Sequence, residues 1–511
     1  MASILQTNSM DLLRQAAVLL EKENARLALQ NKLLLERIAE LSGTASPADQ
    51  EELACVKELL AQYAQDKYGA SSERRAPADG AKTSDPAKAR QGHGPTEQPK
   101  LPLVENEISL PDDQQTCPQC QGSLEAMGDQ AEESEEITVE RCKVVLVRHR
   151  RLKYRCRCNG CVVTAPASEK LLAGGRYSIA FTVQVAVDKY LDHAPLTRQV
   201  RKFARLGLDV TSQTLWDQLH ALVPHLRPTY EAILATILLA PVINADETHW
   251  HLLSGKASTE RKRWYAWGIS TPQLAGYAIL DSRSMAAGRQ VLAGYRGTVV
   301  ADGYRVYESL SRDGLQMRCV EEAQPPPLFQ VANCWSHARR KFVDAEQKYP
   351  ECGPVLDLMQ NLFAVEREAP PGDVSALAQL RETKSVPLVD AIYAWAKGQR
   401  ALPRSGLGKA LSYLLAHEAG LRLFLTDPAV PMHNNAAERS MRGLVVGRKN
   451  HLGSKSRQGI EAAAICYTLF ESAKLAGVDP AAYVEAVTRL AIRQPGSTLL
   501  PAQFAAQFQG P

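Results

Sequence analysis

Two short apolar stretches that each run into an aspartate constrain the fold of this chain more than any other feature. The first, Pro-Val-Ile-Asn-Ala-Asp, reaches Asp246, and the second, Gly-Thr-Val-Val-Ala-Asp, reaches Asp302. Residues 262–270 and 274–281, between them, are rich in aromatic and aliphatic residues, which is typical of strands. A carboxylate at the end of a buried strand indicates a metal ligand at a sheet end. The alternative is a surface aspartate that caps a turn.

The order of the predicted elements narrows the fold class. Helical patterns at 284–296 and 304–310 flank the strand that ends on Asp302, and a further strand over 328–334 follows. The predicted order along the chain is three strands, a helix, a strand, a helix and a strand. This is the order of elements in the α/β ribonuclease H-like fold. In that fold the first and fourth strands are neighbours, so Asp246 and Asp302 are expected at one sheet end.

A third acid is expected on a later helix. Asn434, Glu438 and Arg442 are spaced four apart, and Asn435 comes three before Glu438, so they share one helical face. A stripe of amide, carboxylate and guanidinium suits the edge of a metal site beside a phosphate. The alternative is a solvated face with a Glu–Arg pair.

The spacing between the acids predicts an insertion. Glu438 follows Asp302 by 438 − 302 = 136 positions, far more than a ribonuclease H-like core without an insertion needs. Apolar residues at helical spacing over 346–420 predict an all-α insertion after the fifth strand. On this division, 237–345 and 421–475 form the two parts of the catalytic core, and 476–511 is a C-terminal element.

The N-terminal residues 1–69 carry a heptad pattern. Leucines recur every seventh position, at Leu13, Leu20, Leu27, Leu34 and Leu41. This spacing predicts a leucine-zipper-like coiled coil that joins two copies of the chain as a homodimer. The alternative is an amphipathic helix packed on its own chain. Residues 70–110 are rich in Pro, Ala, Gly, Ser and Lys without an apolar period, and are predicted to be a flexible linker.

Cysteines indicate a zinc-ribbon DNA-binding domain at 111–170. Six of the eleven cysteines fall between Cys117 and Cys161, and disulfides are rare in cytosolic proteins. Cys117 and Cys120 form a Cys-x-x-Cys pair, and Cys158 with Cys161 forms a second, for which Cys156 is a possible substitute. Two such pairs suit structural Zn²⁺ in tetrahedral coordination. The alternative is a redox Cys-x-x-Cys.

Residues 171–236 are predicted to be helical. Gly207 lies at a turn and Thr211 is a suitable N-cap for the following helix. Two helices joined in this way resemble a helix-turn-helix. A plain helical connector is the alternative.

Positive charge is segregated although the net charge is only +4. Clustered cations point to a polyanionic partner, and the alternative is a solvated face. The candidate DNA contacts are Arg148 and Arg150 in the first run, and Arg439, Arg442, Arg448 and Lys449 in the second. The sequence has no apolar run of the ~20 residues that a membrane helix needs. It begins without a secretory pattern, so a cytoplasmic, nucleoid-associated protein without membrane contact is expected.

Three segments carry a family resemblance. Ala245-Asp-Glu-Thr248, Ala301-Asp-Gly-Tyr304 and Asn434-Asn-Ala-Ala-Glu-Arg-Ser-Met-Arg442 resemble those of the DDE transposases of the insertion sequence 66 family, and the similarity extends over nearly the whole chain. The resemblance implies a catalytic triad of Asp246, Asp302 and Glu438 that binds Mg²⁺ or Mn²⁺.

The resemblance also bears on the residues around the triad and on the partners. Cys334-Trp-Ser-His337 is similar to the Cys-x-x-His of several DDE families, which places His337 near the site. Asn159 stands where a cysteine is usual, so the fourth zinc ligand stays open. Partners implied are the element ends, target DNA and accessory proteins encoded by the element.

These features together predict a transposase that cleaves DNA and transfers the cut strand. Two divalent ions about 4 Å apart can clamp the attacking and leaving oxygens of a phosphodiester. Asp246 is expected to bridge both ions, with Asp302 and Glu438 each favouring one. The alternatives are a non-catalytic zinc DNA-binding regulator and a nuclease of the same fold without joining activity.

Overall fold

The computed structural model describes residues 144–149, 153–155, 162–164, 167–172, 174–253, 263–316 and 329–508. The predicted coiled coil, the linker, Arg150 and the zinc-ribbon cysteines (Cys117, Cys120, Cys156, Cys158 and Cys161) lie outside the described residues. The chain divides into two units, Arg74–Val145 and the remainder, and every described helix and strand belongs to the remainder. No helix in these ranges is long and apolar enough to cross a membrane.

The described chain begins with a short hairpin and three helices. Strands β1 (Lys153–Arg155) and β2 (Val162–Thr164) pair antiparallel. Helices α1 (Ile179–Tyr190), α2 (Leu196–Arg205) and α3 (Ser212–Ile237) follow. The predicted N-cap of α3 is confirmed, since the Thr211 hydroxyl accepts a hydrogen bond from the Thr214 backbone N–H at 3.1 Å.

Helix α3 continues to Ile237 without interruption. Ile233 and Ile237, near its end, are fully buried. Two internal prolines, Pro224 and Pro228, interrupt backbone hydrogen bonding and favour a break. The buried apolar face nevertheless continues at helical spacing on both sides of them, and its burial keeps the helix intact.

A five-stranded mixed sheet forms the centre of the molecule. Its strands are β3 (Val242–His251), β4 (Arg263–Ser270), β5 (Ala275–Leu280), β6 (Thr298–Ala301) and β7 (Gln330–Asn333). The spatial order is β5-β4-β3-β6-β7, with β3, β6 and β7 parallel. Helices α4 (Met285–Val291) and α5 (Arg305–Gln316) lie between the strands in sequence. The predicted α/β class is therefore confirmed.

Strand β3 does not end at Asp246, and that prediction is wrong. Its antiparallel pairing with β4 continues to His251 opposite Arg263, whereas its parallel pairing with β6 stops at Asn244 opposite Val300. The polar residues after Asp246 conceal this continuation in the sequence, but Trp250 is fully buried and keeps the alternation of a strand. Asp246 thus lies where β3 separates from β6.

The chain between β7 and the last four helices is helical. Its elements are α6 (Trp335–Glu346), a 3-10 turn (Pro350–Cys352), α7 (Gly353–Glu368), α8 (Val374–Leu380), a π-helical turn (Arg381–Ser385), α9 (Val386–Gly398), α10 (Gly406–Ala416) and α11 (Glu418–Thr426). We call residues 353–426 the helical insert. Its core includes Leu356, Met359 and Leu362, and it is continuous with Val300 and Ala332 of the sheet.

Four helices complete the fold: α12 (Asn435–His451), α13 (Arg457–Leu475), α14 (Pro480–Arg493) and α15 (Pro501–Phe508). Helix α13 covers the edge strand β5. The Ser472 hydroxyl accepts from the Ala275 N–H at 3.1 Å and donates to its carbonyl at 2.8 Å. The Thr468 hydroxyl accepts from the Tyr277 N–H at 3.0 Å. These bonds satisfy backbone groups that an edge strand otherwise exposes.

A buried arginine connects the helical insert to the chain that leads into α12. Arg381 is 1% exposed and makes a two-point pair with Glu366, at 2.8 and 2.7 Å. Its Nη1 donates to the carbonyls of Phe424, Asp427 and Val430 at 2.7, 3.2 and 3.1 Å. One side chain therefore fixes the end of α11 and the turn after it.

Replacing Arg381 with Met should destabilise the protein by about 3–5 kcal/mol, because Glu366 is left as an unpaired charge and three carbonyls lose their donor. The measurement is urea unfolding followed by circular dichroism. Arg422→Met is the matched control, since Arg422 pairs with Asp390 and Glu418 at the insert surface. It should cost about 1 kcal/mol or less. Equal losses in the two variants would contradict this account.

Candidate active site

The sheet register places two aspartates side by side. In the parallel pairing of β3 and β6, Val242 is opposite Thr298 and Asn244 is opposite Val300, an offset of 298 − 242 = 56. Asp246 and Asp302 have the same offset, 302 − 246 = 56. Adjacent strands are about 4.8 Å apart, and residues at one level project to the same face. The paired ladder ends at Asn244 opposite Val300, so each aspartate lies two residues beyond the last pair.

Local backbone bonds orient the two carboxylates. Asp246 Oδ1 accepts from the N–H of Glu247 at 2.8 Å, and Asp302 Oδ1 accepts from the N–H of Tyr304 at 2.9 Å. Asp302 is the first residue after β6, in the turn that leads to α5. Each side chain is thus held by the chain that immediately follows it.

Asn434 fixes the start of the helix that carries Glu438. It is 1% exposed, its Oδ1 accepts from Asn244 Nδ2 at 2.9 Å, and its Nδ2 donates to the Ala245 carbonyl at 2.8 Å. Its backbone N–H donates to Cys334 Sγ at 3.1 Å. The first turn of α12 is therefore bound to β3 immediately before Asp246. Of the predicted polar stripe, Asn434 is buried, Asn435 and Glu438 are half-buried, and Arg442 is exposed.

Glu438 lies in the first turn of α12 and faces His337 of α6. His337 Nε2 is 3.6 Å from Glu438 Oε1, which is longer than a hydrogen bond but within range of a charge contact. Among the described residues, His337 Nδ1 is buried without a hydrogen-bond partner. The structure therefore brings the predicted His337 beside the predicted third acid.

The surroundings of Asp246 shift its pKa. The pKa of Asp246 is raised to about 7, mainly because the side chain is buried, and then because Glu247, Asp302 and Glu438 are near. Within the ranges that the structure covers, no Lys or Arg forms an ion pair with Asp246 or Asp302. The nearest cationic groups contact the neighbouring acids: Arg283 pairs with Glu247, and His337 lies 3.6 Å from Glu438.

The donor set fits hard divalent cations that keep most of their water. In the described part of the chain, no three His, Cys, Asp or Glu side chains converge on a single metal position. Mg²⁺ is commonly held by one or two carboxylates and several waters, so pairs of these acids suffice. Asp246 with Asp302, or Asp246 with Glu438, would supply such a pair.

A second charged group beside the acids was missed by the sequence reasoning. Glu247 accepts from Arg283 Nε at 3.0 Å, contacts Arg283 Nη2, and accepts from the Tyr307 hydroxyl at 2.8 Å. The Arg283 guanidinium stacks on the Tyr304 ring, 3.8 Å from its centre. Glu247 follows Asp246 directly in the sequence, but nothing in the pattern identified its partners, which come from other elements.

The predicted cationic residues of α12 differ in exposure. Arg439, Arg442 and Lys449 are exposed. Arg448 is half-buried; its Nη1 donates to Thr248 Oγ1 at 2.9 Å and also contacts the His249 carbonyl. Burial lowers the pKa of Arg448. Arg148 is exposed in the segment before β1. Arg448 therefore has a structural contact with β3, whereas the other four are accessible.

Comparison with known proteins identifies the family of this chain. A family model described as the IS66 family of transposases matches residues 174–462, which include all three acids. The chain belongs to this transposase family. The predicted family resemblance is confirmed, and membership implies a function related to transposition, DNA binding and a general use of divalent metals.

Relatives in Sinorhizobium fredii are similar over most of their length. The uncharacterized protein y4jD is 30% identical over 395 residues, covering 75% of this chain and 76% of that protein. The uncharacterized proteins y4hP and y4qI are 28% and 29% identical, over 86% and 73% of this chain and 81% and 71% of their own lengths. Their names assign no roles to individual residues.

Replacing Asn434 with Ala should lower stability by about 1–3 kcal/mol, because the Ala245 carbonyl and the Asn244 amide lose their partner in a buried site. The neighbouring change Asn435→Ala is the control and should cost less, since Asn435 is half-buried at the first helical position. Thermal unfolding of both variants checks this. A larger loss in Asn435→Ala would refute the role given to Asn434.

The raised pKa of Asp246 has a consequence for stability in the absence of divalent metal. The folded chain retains this proton up to about pH 7, whereas the unfolded chain releases it near the ordinary aspartate pKa of 3.8. Stability from this group is therefore full below about pH 4 and is lost as pH rises through about 7. Asp246→Asn should remove that loss, so its unfolding temperature in EDTA should exceed that of the wild type at pH 8 and match it at pH 4. Asp209→Asn, at an exposed position, should follow the wild type at both pH values.

Proposed function

We propose that this chain is a DDE transposase that cleaves the ends of an insertion sequence and joins them to target DNA. Asp246, Asp302 and Glu438 are the proposed catalytic residues and the proposed ligands of Mg²⁺ or Mn²⁺, on a ribonuclease H-like core. The observation that carries the proposal is that Asp246 and Asp302 each follow the last β3–β6 pair, Asn244 opposite Val300, by two residues. The buried anchor at Asn434, one turn before Glu438, supports the same assignment.

Each acid has a distinct position in the proposed site. Divalent ions, when bound, polarise the scissile phosphate and activate the attacking oxygen. Asp246 is central, because both Asp302 and Glu438 contribute to its raised pKa. Asp302 approaches from the sheet and Glu438 from α12. This supports the view that Asp246 is shared, with Asp302 and Glu438 each completing one side.

The surroundings of the acids supply groups for DNA. Arg439 and Arg442 are exposed on the helix that carries Glu438, which supports contacts with phosphates near the scissile bond. Lys449 is exposed two turns further along the same helix. A guanidinium suits this task because its fork of donors matches two phosphate oxygens. His337 is proposed to lie at the margin of the site, beside Glu438.

The remaining parts of the proposal rest on the sequence. Structural Zn²⁺ held by Cys117, Cys120, Cys158 and Cys161, with Cys156 as the substitute, would shape a DNA-binding ribbon. The heptad leucines would join two copies of the chain. Accessory proteins from the same element are proposed partners on family grounds.

Replacing Glu438 with Gln should leave binding to the element ends intact and abolish cleavage, because the amide retains the shape of the side chain without its charge. Gel-shift assays measure binding, and labelled end substrates with Mg²⁺ measure cleavage and strand transfer. Glu461→Gln is the control, since Glu461 is half-buried on α13 and pairs with Arg227. It should cleave as the wild type does.

Two outcomes would count against the proposal in different ways. Normal cleavage by Glu438→Gln would refute the assignment of the third acid. Cleavage without strand transfer by the wild type, with intact ends and target supplied, would identify a nuclease of the same fold instead.

A further inference from the structure

The helical insert contacts the turn that carries Asp302. The hydroxyl of Tyr413, near the end of α10, donates a hydrogen bond to the backbone carbonyl of Asp302 at 2.7 Å. Asp302 lies just beyond the strand ladder, since the pairing of β6 with β7 ends at Ala301 opposite Asn333. Its carbonyl is therefore held by the insert and not by the sheet.

A second residue of the insert holds the other side of the same turn. His417, which caps α10, places Nε2 3.1 Å from Oε1 of Glu308 in the first turn of α5. Its Nδ1 is 2.7 Å from the Tyr413 carbonyl, and the two rings pack with centres 4.3 Å apart. Tyr413 and His417 thus pack against each other, and one contacts Asp302 while the other contacts Glu308.

The turn fits against the insert only because residue 303 is glycine. Gly303 has φ of +93°, a conformation that side chains disfavour. A Cβ at this position would lie 2.8 Å from the Tyr413 hydroxyl oxygen and 3.2 Å from His417 Nε2. The insert therefore packs directly against the backbone between Asp302 and α5.

We propose that Tyr413 is a positioning residue for Asp302, an inference that rests on the proposed metal-binding role of that acid. By fixing the Asp302 carbonyl, Tyr413 fixes the peptide from which the carboxylate projects, at the level of Asp246. It contacts neither metal nor DNA. The helical insert is then part of the catalytic apparatus, because it sets the geometry of one metal ligand.

The test is Mn²⁺ binding to the full chain, followed by the loss of the free-ion electron paramagnetic resonance signal. Tyr413→Phe should bind Mn²⁺ about tenfold more weakly, the lower end of the effect expected when a partner of a metal ligand is removed. Tyr393→Phe is the matched control. Tyr393 is also buried in the insert and donates to a backbone carbonyl, that of Leu414 at 3.3 Å. It should bind as the wild type does.

Asp302→Asn separates failure of this inference from failure of the proposed function. Unchanged Mn²⁺ binding by Asp302→Asn would overturn the metal site, and the role of Tyr413 with it. Weak binding by Asp302→Asn together with normal binding by Tyr413→Phe would leave the metal site standing and overturn the inference alone. Excess Mn²⁺ should restore cleavage by Tyr413→Phe and not by Asp302→Asn.

A further variant covers the case in which Tyr413→Phe unfolds at a lower temperature than Tyr393→Phe. Glu308→Gln weakens the hold of His417 on the same turn, and the Glu308 side chain is about a third exposed, so the fold tolerates it. It should also bind Mn²⁺ more weakly than the wild type. Binding equal to that of the wild type would overturn the inference.

Discussion

Repulsion among carboxylates is the constraint on which the rest of this structure depends. The pKa of Asp246 is raised mainly because the side chain is buried, and then because Glu247, Asp302 and Glu438 are near. Like charges in a partly buried site push apart unless the backbone that carries them is fixed. Asn434 fixes the backbone before Asp246, Tyr413 fixes the carbonyl of Asp302, and Arg381 fixes the chain that leads into α12.

The order of strands and helices could be predicted from the sequence because local patterns of apolar and polar residues indicate each element. Apolar strands that run into Asp246 and Asp302 were recognisable, as was the N-cap at Thr211. The continuation of β3 past Asp246 was missed because its polar residues do not resemble a buried strand. Pro224 and Pro228 are local signals for a break, but α3 continues through both because tertiary burial of its apolar face overrides them.

The contacts that position the acids could not be read from the sequence for a different reason. Asn434 bonds to Asn244 across 190 positions, and Tyr413 bonds to Asp302 across 111. No periodicity links residues so far apart, and no local sequence pattern indicates which of them form a hydrogen bond. Glu247 shows the same limit: its position next to Asp246 was evident, whereas its pairing with Arg283 and Tyr307 depends on how three elements pack.

The covered edges of the sheet restrict how copies of this chain can assemble. On one side, Ser472 and Thr468 already occupy the outward backbone groups of β5. On the other, α11 lies so close to β7 that a Cβ on Gly420 would come within 2.7 Å of the Val331 carbonyl oxygen. In the described part of the chain, these contacts limit pairing of another strand with either edge of the sheet, and they protect it from the edge-to-edge growth that leads to aggregation.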